Sequence, residues 1–282
     1  IWEIVIIFLN CRRMHYQTFE PHKDLAACIR CYWTLESPAE NPPKRQTIVP
    51  DGCMEMIFHY GDLYRQYTEN GSLIQPRCFV FGQLSQPLEI EPTGATGIFS
   101  VRFNPDGFLP FATMAVKDME NRAFPLHDLF HEDGETLAQN ILHAGSVTER
   151  ISLTESFLSA RLKRTETIDR IVQSTVDTIM TANGQLPVGK ISEQMRVHRR
   201  NLERRFEVAI GLSPKQLSRI VRMQAALKML LNRQFSSLTT LAAEGEYYDQ
   251  SHFIKDFKEF TGCTPGEFYG DNLKMSALFL SK

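Results

Sequence analysis

Apolar residues recur with different periods in the two halves of the chain. Between 46 and 104 they alternate. "CMEMIFHY" sets Met54, Met56, Phe58 and Tyr60 on one face and Cys53, Glu55, Ile57 and His59 on the other. "IFSVRFN" likewise opposes Phe99, Val101 and Phe103 to Ser100, Arg102 and Asn104. That period of two predicts short strands, bounded by Gly and Pro turns. From about 105 the period becomes helical. "ERISLTESFLSARL" carries Ile151, Leu153, Phe157, Leu158 and Leu162, a stripe suited to packing on the β region or on a second subunit. Beyond 166 the helical period persists. Phe253, Phe257 and Phe260 fall at i, i+4 and i+7 on one buried face, and Gly262 and Pro265 end that helix. The expected fold is α+β in two domains: an N-terminal small β-barrel or sandwich with flanking helices, then an all-α double helix-turn-helix.

The second domain is expected from an internal repeat. In "VHRRNLERRFEVAIGLSP", Leu202, Phe206, Gly211 and Pro214 precede Phe253, Phe257, Gly262 and Pro265 by 51 residues each, as Arg204 precedes Lys255 and Glu193 precedes Glu244. An offset held over six positions predicts two copies of one unit. Each copy reads as two short helices with a turn, near Arg196–Val197 in the first and Gly245–Tyr247 in the second. This is a helix-turn-helix, whose second helix suits a major groove. Between the copies, Ser213 as cap, Pro214 at the first helical position and Gln216 three residues on predict a long helix with Leu217, Ile220, Leu227 and Leu231 on its apolar face. About 18 residues make a rod of ~27 Å, close to the ~34 Å recurrence of major grooves on one face of a duplex.

Charge sharpens this picture. The formal net charge of −2 conceals an acidic and a basic half. Residues 161–282 hold 19 Lys and Arg against 13 Asp and Glu, a net of +6; residues 1–160 hold 12 against 20, a net of −8. The basic half is the one suited to a polyanion. Arg200 and Arg204 form a like-charge i, i+4 pair, with Arg196, Arg199 and Arg205 around them. Such pairs cost an isolated helix roughly 0.2–0.5 kcal/mol each. Phosphates would neutralise the cluster, and counterion release would then drive binding.

With these residues in hand, 166–270 resembles the DNA-binding domain of the AraC/XylS family of bacterial transcription regulators. "LERRFEVAIGLSP" (202–214) and "YYDQSHFIKDFKEFTGCTP" (247–265) carry the resemblance. It implies base-facing positions at His198, Arg200, Glu203 and Arg204 in the first copy and at Gln250, Ser251, His252 and Lys255 in the second. Arg199 joins them as part of the basic cluster. Arg suits guanine and Gln suits adenine, while Ser and Lys serve either a base edge or a phosphate. One residue departs from the family pattern: Glu246 stands where the turn usually has Gly, a poor occupant if the backbone there needs positive φ. Residues 14–160 resemble the N-terminal domain attached to some of these regulators, through "VPDGCMEMIFHYGD" (49–62), "FVFGQLSQPLEIEPTGATGIFSVRFNPDGF" (79–108) and "FPLHDLF" (124–130). That resemblance names no ligand. The alternating strands themselves suggest a small barrel or sandwich resembling a cupin sensor, with Glu55, His59 and Arg102 as the candidate residues of its pocket; the alternative is that they face solvent.

Other signals are weaker. "CIRC" (28–31) has the spacing of a zinc or redox site but no second such pair, and "HDLFH" (127–131) is not a metalloprotease motif. No metal or cofactor is expected, and no phosphate loop, dinucleotide glycine motif or nucleophile elbow occurs. Six cysteines without a disulfide pattern fit a reducing cytoplasm. The opening "IWEIVIIFLN" is too short to span a bilayer and lacks a basic leader. The expected boundaries are an upstream extension at 1–13 with the biological start at Met14, a sensor or dimerisation domain at 14–160, a linker at 161–166, the DNA-binding domain at 167–270 and a tail at 271–282. Candidate partners are double-stranded DNA, a small-molecule effector, RNA polymerase and a second copy of the chain, with no membrane. The function expected is that of a non-enzymatic transcription regulator. A DNA-repair methyl acceptor with a similar DNA-binding domain is the alternative, although the cysteines are not grouped as its metal cluster would require.

Overall fold

A computed structural model describes residues 6–7, 14–162, 169–232 and 237–268. The expected extension at 1–13 (apart from the backbone of 6–7), most of the expected linker and the tail lie outside the described residues. The N-terminal domain is built from β1 (Ile6–Ile7), β2 (His15–Phe19), β3 (Ile29–Ser37), β4 (Gln46–Ile48), β5 (Glu55–His59), β6 (Tyr64–Thr68), β7 (Gly71–Ile74), β8 (Cys78–Phe81), β9 (Leu88–Pro92), β10 (Thr96–Phe103) and β11 (Ala123–Pro125). They form two antiparallel sheets, ordered β11-β8-β5-β10-β3-β2 and β1-β4-β9-β6-β7. Among the described residues no ladder joins one sheet to the other, so a sandwich forms and not a closed barrel, which would need an unbroken hydrogen-bonded circuit.

The alternation in β5 and β10 assigns their faces as expected. Met54, Met56, Phe58, Phe99, Val101 and Phe103 enter one core with α1 (Leu126–His143) and α2 (Val147–Leu162). α1 breaks at His131, whose φ is 53° and ψ −135°. Leu158 is buried in that core, and Ile151, Leu153, Phe157 and Leu162 pack against it. The α2 stripe therefore serves its own domain and is not left for a second subunit. Glu55, Ile57, His59, Ile98 and Arg102 face the other sheet, so both faces of the six-stranded sheet are covered.

The C-terminal half comprises α3 (Arg170–Thr181), α4 (Val188–Gln194), α5 (Arg199–Ile210), α6 (Pro214–Leu231), α7 (Leu238–Glu244) and α8 (Gln250–Thr261) around one core of Leu202, Phe206, Leu217, Ile220, Leu227, Phe253, Phe257 and Phe260. Ser213 and Gln216 close the predicted capping box of α6. The reading helices α5 and α8 start and end 51 residues apart, as the repeat requires. The preceding helix and turn do not keep that offset. Arg196 N–H and Val197 N–H donate to Glu193 and Ser192 carbonyls; Glu246 and Tyr247 repeat those bonds on Ala243 and Ala242, an offset of 50. Glu193 thus corresponds to Ala243 and not to Glu244. The second turn is one residue longer, and the inserted residue is Tyr248.

The two halves are tied by the strand-entry loop 49–53. Val49 is buried in the helical core, and Gln224 of α6, itself buried, donates to the Pro50 carbonyl at 2.7 Å. Gly52 has φ of +76°, a conformation that favours glycine, and a Cβ there would lie 2.6 Å from Leu217 Cδ1, so the loop sits directly against α6. The short turn at Val116–Met119 packs on α5, where Gly211 ends the helix in the left-handed region.

Candidate nucleic-acid interface and the cavity behind it

Each reading helix is aimed by local chemistry. The α5 cap is His198, whose side chain accepts from Arg200 N–H; the α8 cap is Asp249, which accepts from His252 N–H at 2.7 Å. Left-handed residues set both turns, Arg196 at φ 52° and Glu246 at φ 51°. The concern about Glu246 is met: the turn does need positive φ, and glutamate adopts it. Such strain costs a non-glycine residue about 1–2 kcal/mol.

His198, Arg199, Arg200, Arg204, Gln250, Ser251, His252 and Lys255 are all exposed, and Glu203 is half-buried. They are not equally free. Arg199 Nε is 2.9 Å from Glu203 Oε1, so that pair is engaged along the helix. Gln250 accepts a hydrogen bond from Thr239, and His252 rests its ring edge on Tyr247. Arg205 belongs to the fold: its Nε and Nη2 both donate to the Asp169 carboxylate at 2.8 Å, where Asp169 caps α3. Its removal from the basic cluster leaves Arg200 and Arg204 as the exposed like-charge pair.

The geometry adds residues that the repeat alone did not single out. A cleft of about 690 Å³ opens between the two units. Lys215, Arg219 and Arg222 of α6 line it, with Arg199 from the first reading helix and Lys255 from the second. Their spacing at i, i+4 and i+7 was legible in "KQLSRIVR" as a basic stripe. Arg219 is pinned by Asp256 at 2.9 Å and Glu259 at 2.8 Å, which fixes α8 on the rod. Tyr248, 93% exposed, stands at the lip of the second turn.

On the far side of the rod, the sandwich encloses a cavity of about 90 Å³. Its walls are apolar: Trp33, Leu35, Ile57, Tyr64, Ile90 and Ile98. Glu55, His59 and Arg102 all line it, which excludes the solvent-facing alternative. Arg102 lies opposite Glu55 in the ladder, 2.9 Å from its carboxylate, and pairs also with Asp51. Burial pushes the Glu55 carboxyl up to about 7, against hydrogen bonds from Ser100 and Trp33 that favour its charged form. Burial also brings Arg102 down to about 10, with Arg30 adding to the effect. His59 is lowered to about 4, by burial first and by Arg77 after it, while Gln75 works the other way. The imidazole is therefore neutral near pH 7. Gln75 is the polar neighbour of the ring, but neither imidazole nitrogen completes a hydrogen bond to it or to another described residue, nor does Arg102 Nε find a partner.

Residues 191–270 match a family model described as a helix-turn-helix domain, and 17–125 match a domain of unknown function, DUF6597. An uncharacterized HTH-type transcriptional regulator from Haemophilus influenzae is 31% identical over 81 residues. That match covers 29% of this chain and 27% of the relative's length. Among solved structures, the chain is similar to ToxT from Vibrio cholerae at 11% identity, over 93% of this chain and 99% of that one, with a TM-score of 0.46. It is also similar to the C-terminal domain of AraT, a response regulator from Geobacillus stearothermophilus, at 23% identity over 37% of this chain and 88% of that one, with a TM-score of 0.35.

Proposed function

We propose, from a C-terminal domain that belongs to the AraC-type helix-turn-helix family, that this protein is a one-component transcription regulator reading a two-part DNA site. The observation that carries the reading is the exposure of Arg200, Arg204, Gln250, Ser251 and Lys255 on two matched helices fixed to one rod. Each helix enters a major groove, and the backbone between the grooves runs past Lys215 in the basic cleft. Tyr248 adds a hydroxyl suited to a phosphate oxygen. Replacing Arg204 or Gln250 by alanine is expected to cost about 1–3 kcal/mol and to relax selectivity at one base position. Selection of DNA fragments by the purified protein and its two variants measures this; an equal loss on every sequence would mean that these side chains hold only phosphates.

The N-terminal domain modulates binding through its cavity. Asp51 pairs with Arg102 on the cavity wall, while its neighbours Pro50 and Gly52 touch α6. A ligand that disturbs the wall thus acts on the rod within one loop. Cytoplasmic residence accords with this role, and no helix among the described residues is long and apolar enough to cross a membrane. RNA polymerase and a second copy of the chain are the protein partners this role calls for; light scattering at micromolar concentration tests the second. A methyl-acceptor role is disfavoured by thiol chemistry. Burial pushes Cys28 and Cys53 up to about 11 and Cys78 up to about 12, away from the thiolate that methyl transfer needs.

A further inference from the structure

The sandwich cavity has two polar ends. Glu55 and His59 both point into it from β5, four residues apart, or about 13 Å along a strand. At the Glu55 end the charges are already balanced within the protein. Arg102 bridges Asp51 and Glu55, and Arg30 donates to the Cys53 sulfur. A charged ligand placed here would have to break one of those pairs or remain unpaired in a buried site, and an unpaired buried charge is costly. At the His59 end no charged side chain lines the cavity; Arg77 lies outside its wall, where it donates to the His59 carbonyl. The ring is 1% exposed, flanked by Tyr64 and Phe79 at centroid distances of 5.5 and 5.7 Å, and both of its nitrogens lack a completed bond. A neutral imidazole offers one N–H donor and one lone pair. A hydroxyl is the group that can satisfy either, since it both donates and accepts.

We infer that the cavity takes a small uncharged molecule, with an apolar body of about one ring and a single hydroxyl that hydrogen-bonds His59. The inference rests on the reading of this cavity as the effector site and names the class of molecule it admits. The apolar walls cover the ring; the hydroxyl meets the imidazole; the ion-paired end stays closed. Acids and amines of the same size are excluded because the charged side chains that line the cavity, Asp51, Glu55 and Arg102, are already paired with one another.

Three probes sharing one ring test this by titration calorimetry on the full chain: benzyl alcohol, benzoate and benzylamine. Benzyl alcohol is expected to bind at least tenfold more tightly than either ion. The His59→Phe variant should lose at least tenfold in affinity for benzyl alcohol yet keep its affinity for toluene, which also reports that the cavity remains formed. His59→Gln, which restores a donor and an acceptor, should recover part of the loss. Benzoate or benzylamine binding as tightly as the alcohol would overturn the class, and so would His59→Phe binding the alcohol normally. Absence of binding by all three probes and by toluene would overturn the cavity as a ligand site. Tight binding of the alcohol with no change in operator affinity would leave the class standing and remove the effector reading instead.

Discussion

His59 gives the stability of the N-terminal domain a pH dependence of definite sign. In the unfolded chain the imidazole titrates at its ordinary 6.5, and in the fold it is held at about 4 by burial. Below pH 6.5 the unfolded chain binds a proton that the folded one refuses. The contribution of His59 is therefore complete above pH 6.5 and lost as the pH falls towards 4, by up to roughly 3 kcal/mol. Glu55 runs the other way: its raised carboxyl contributes most at low pH, and that contribution declines as the pH rises towards 7. The difference between the parent protein and His59→Phe, in urea midpoints at pH 4.5, 5.5 and 7, isolates the histidine. An identical pH slope in both would contradict a buried neutral ring. Glu246 carries the other residue-scale prediction. Its left-handed backbone costs about 1–2 kcal/mol and glycine adds chain entropy in return, so Glu246→Gly is expected to stabilise the protein by about 0.5–1 kcal/mol. Denaturant unfolding measures it, and a loss of stability would show that the glutamate side chain matters more than its backbone.

At the scale of elements, the two helix-turn-helix units differ by one inserted residue. Tyr248 lengthens the second turn, while the buried Phe253 and Phe257 of α8 keep the places that Leu202 and Phe206 hold in α5. The core therefore fixes the rotation of α8, and the extra residue lets its start reach that position from α7. Deleting Tyr248 is expected to pull the start of α8 towards α7 and to draw Gln250, Ser251 and Lys255 away from their groove. Footprinting should then show protection of the first half-site only. Tyr248→Ala, which keeps the length, should retain both half-sites with weaker binding; equal effects from the two changes would mean that the ring matters and the length does not. The attachment of α8 is equally specific. Asp256, buried at 3% exposure, receives Arg219 and stands within 4.0 Å of Arg222. Asp256→Ala leaves Arg219 to Glu259 alone and removes the carboxylate beside Arg222, and should cost about 1.5–3 kcal/mol in thermal or urea unfolding. A neutral outcome would make that pairing incidental to the second unit.

For the whole molecule, the bond from Gln224 to the Pro50 carbonyl is a buried link between halves that are 174 residues apart in sequence. Gln224→Met keeps the volume and removes the donor. It is expected to split a single calorimetric transition into two, since each half retains its own core. One unchanged transition would mean that Val49, Leu217 and the turn at Val116–Met119 suffice to couple them. Much of this architecture could be read from the chain. The alternation of β5 and β10 indicated which residues face the cavity, and the repeat located both reading helices to within one residue. Period and spacing suffice there because side-chain direction follows directly from backbone geometry. The extra residue in the second turn was obscured by the chance Glu193 and Glu244 pair at 51, although the buried Ile191 and Leu241 stand 50 residues apart ahead of the turn. Sequence likewise could not separate Arg205 from Arg204, although one is bound to a helix cap and the other is exposed: adjacent residues of one helix point about 100° apart, and only packing says which direction meets Asp169. Nor could it say that the sheets remain open, or that Gly52 abuts Leu217. Local order in this protein is set by neighbours along the chain; contacts between distant segments, which the chain does not encode as a pattern, decided how its sensor touches its reader.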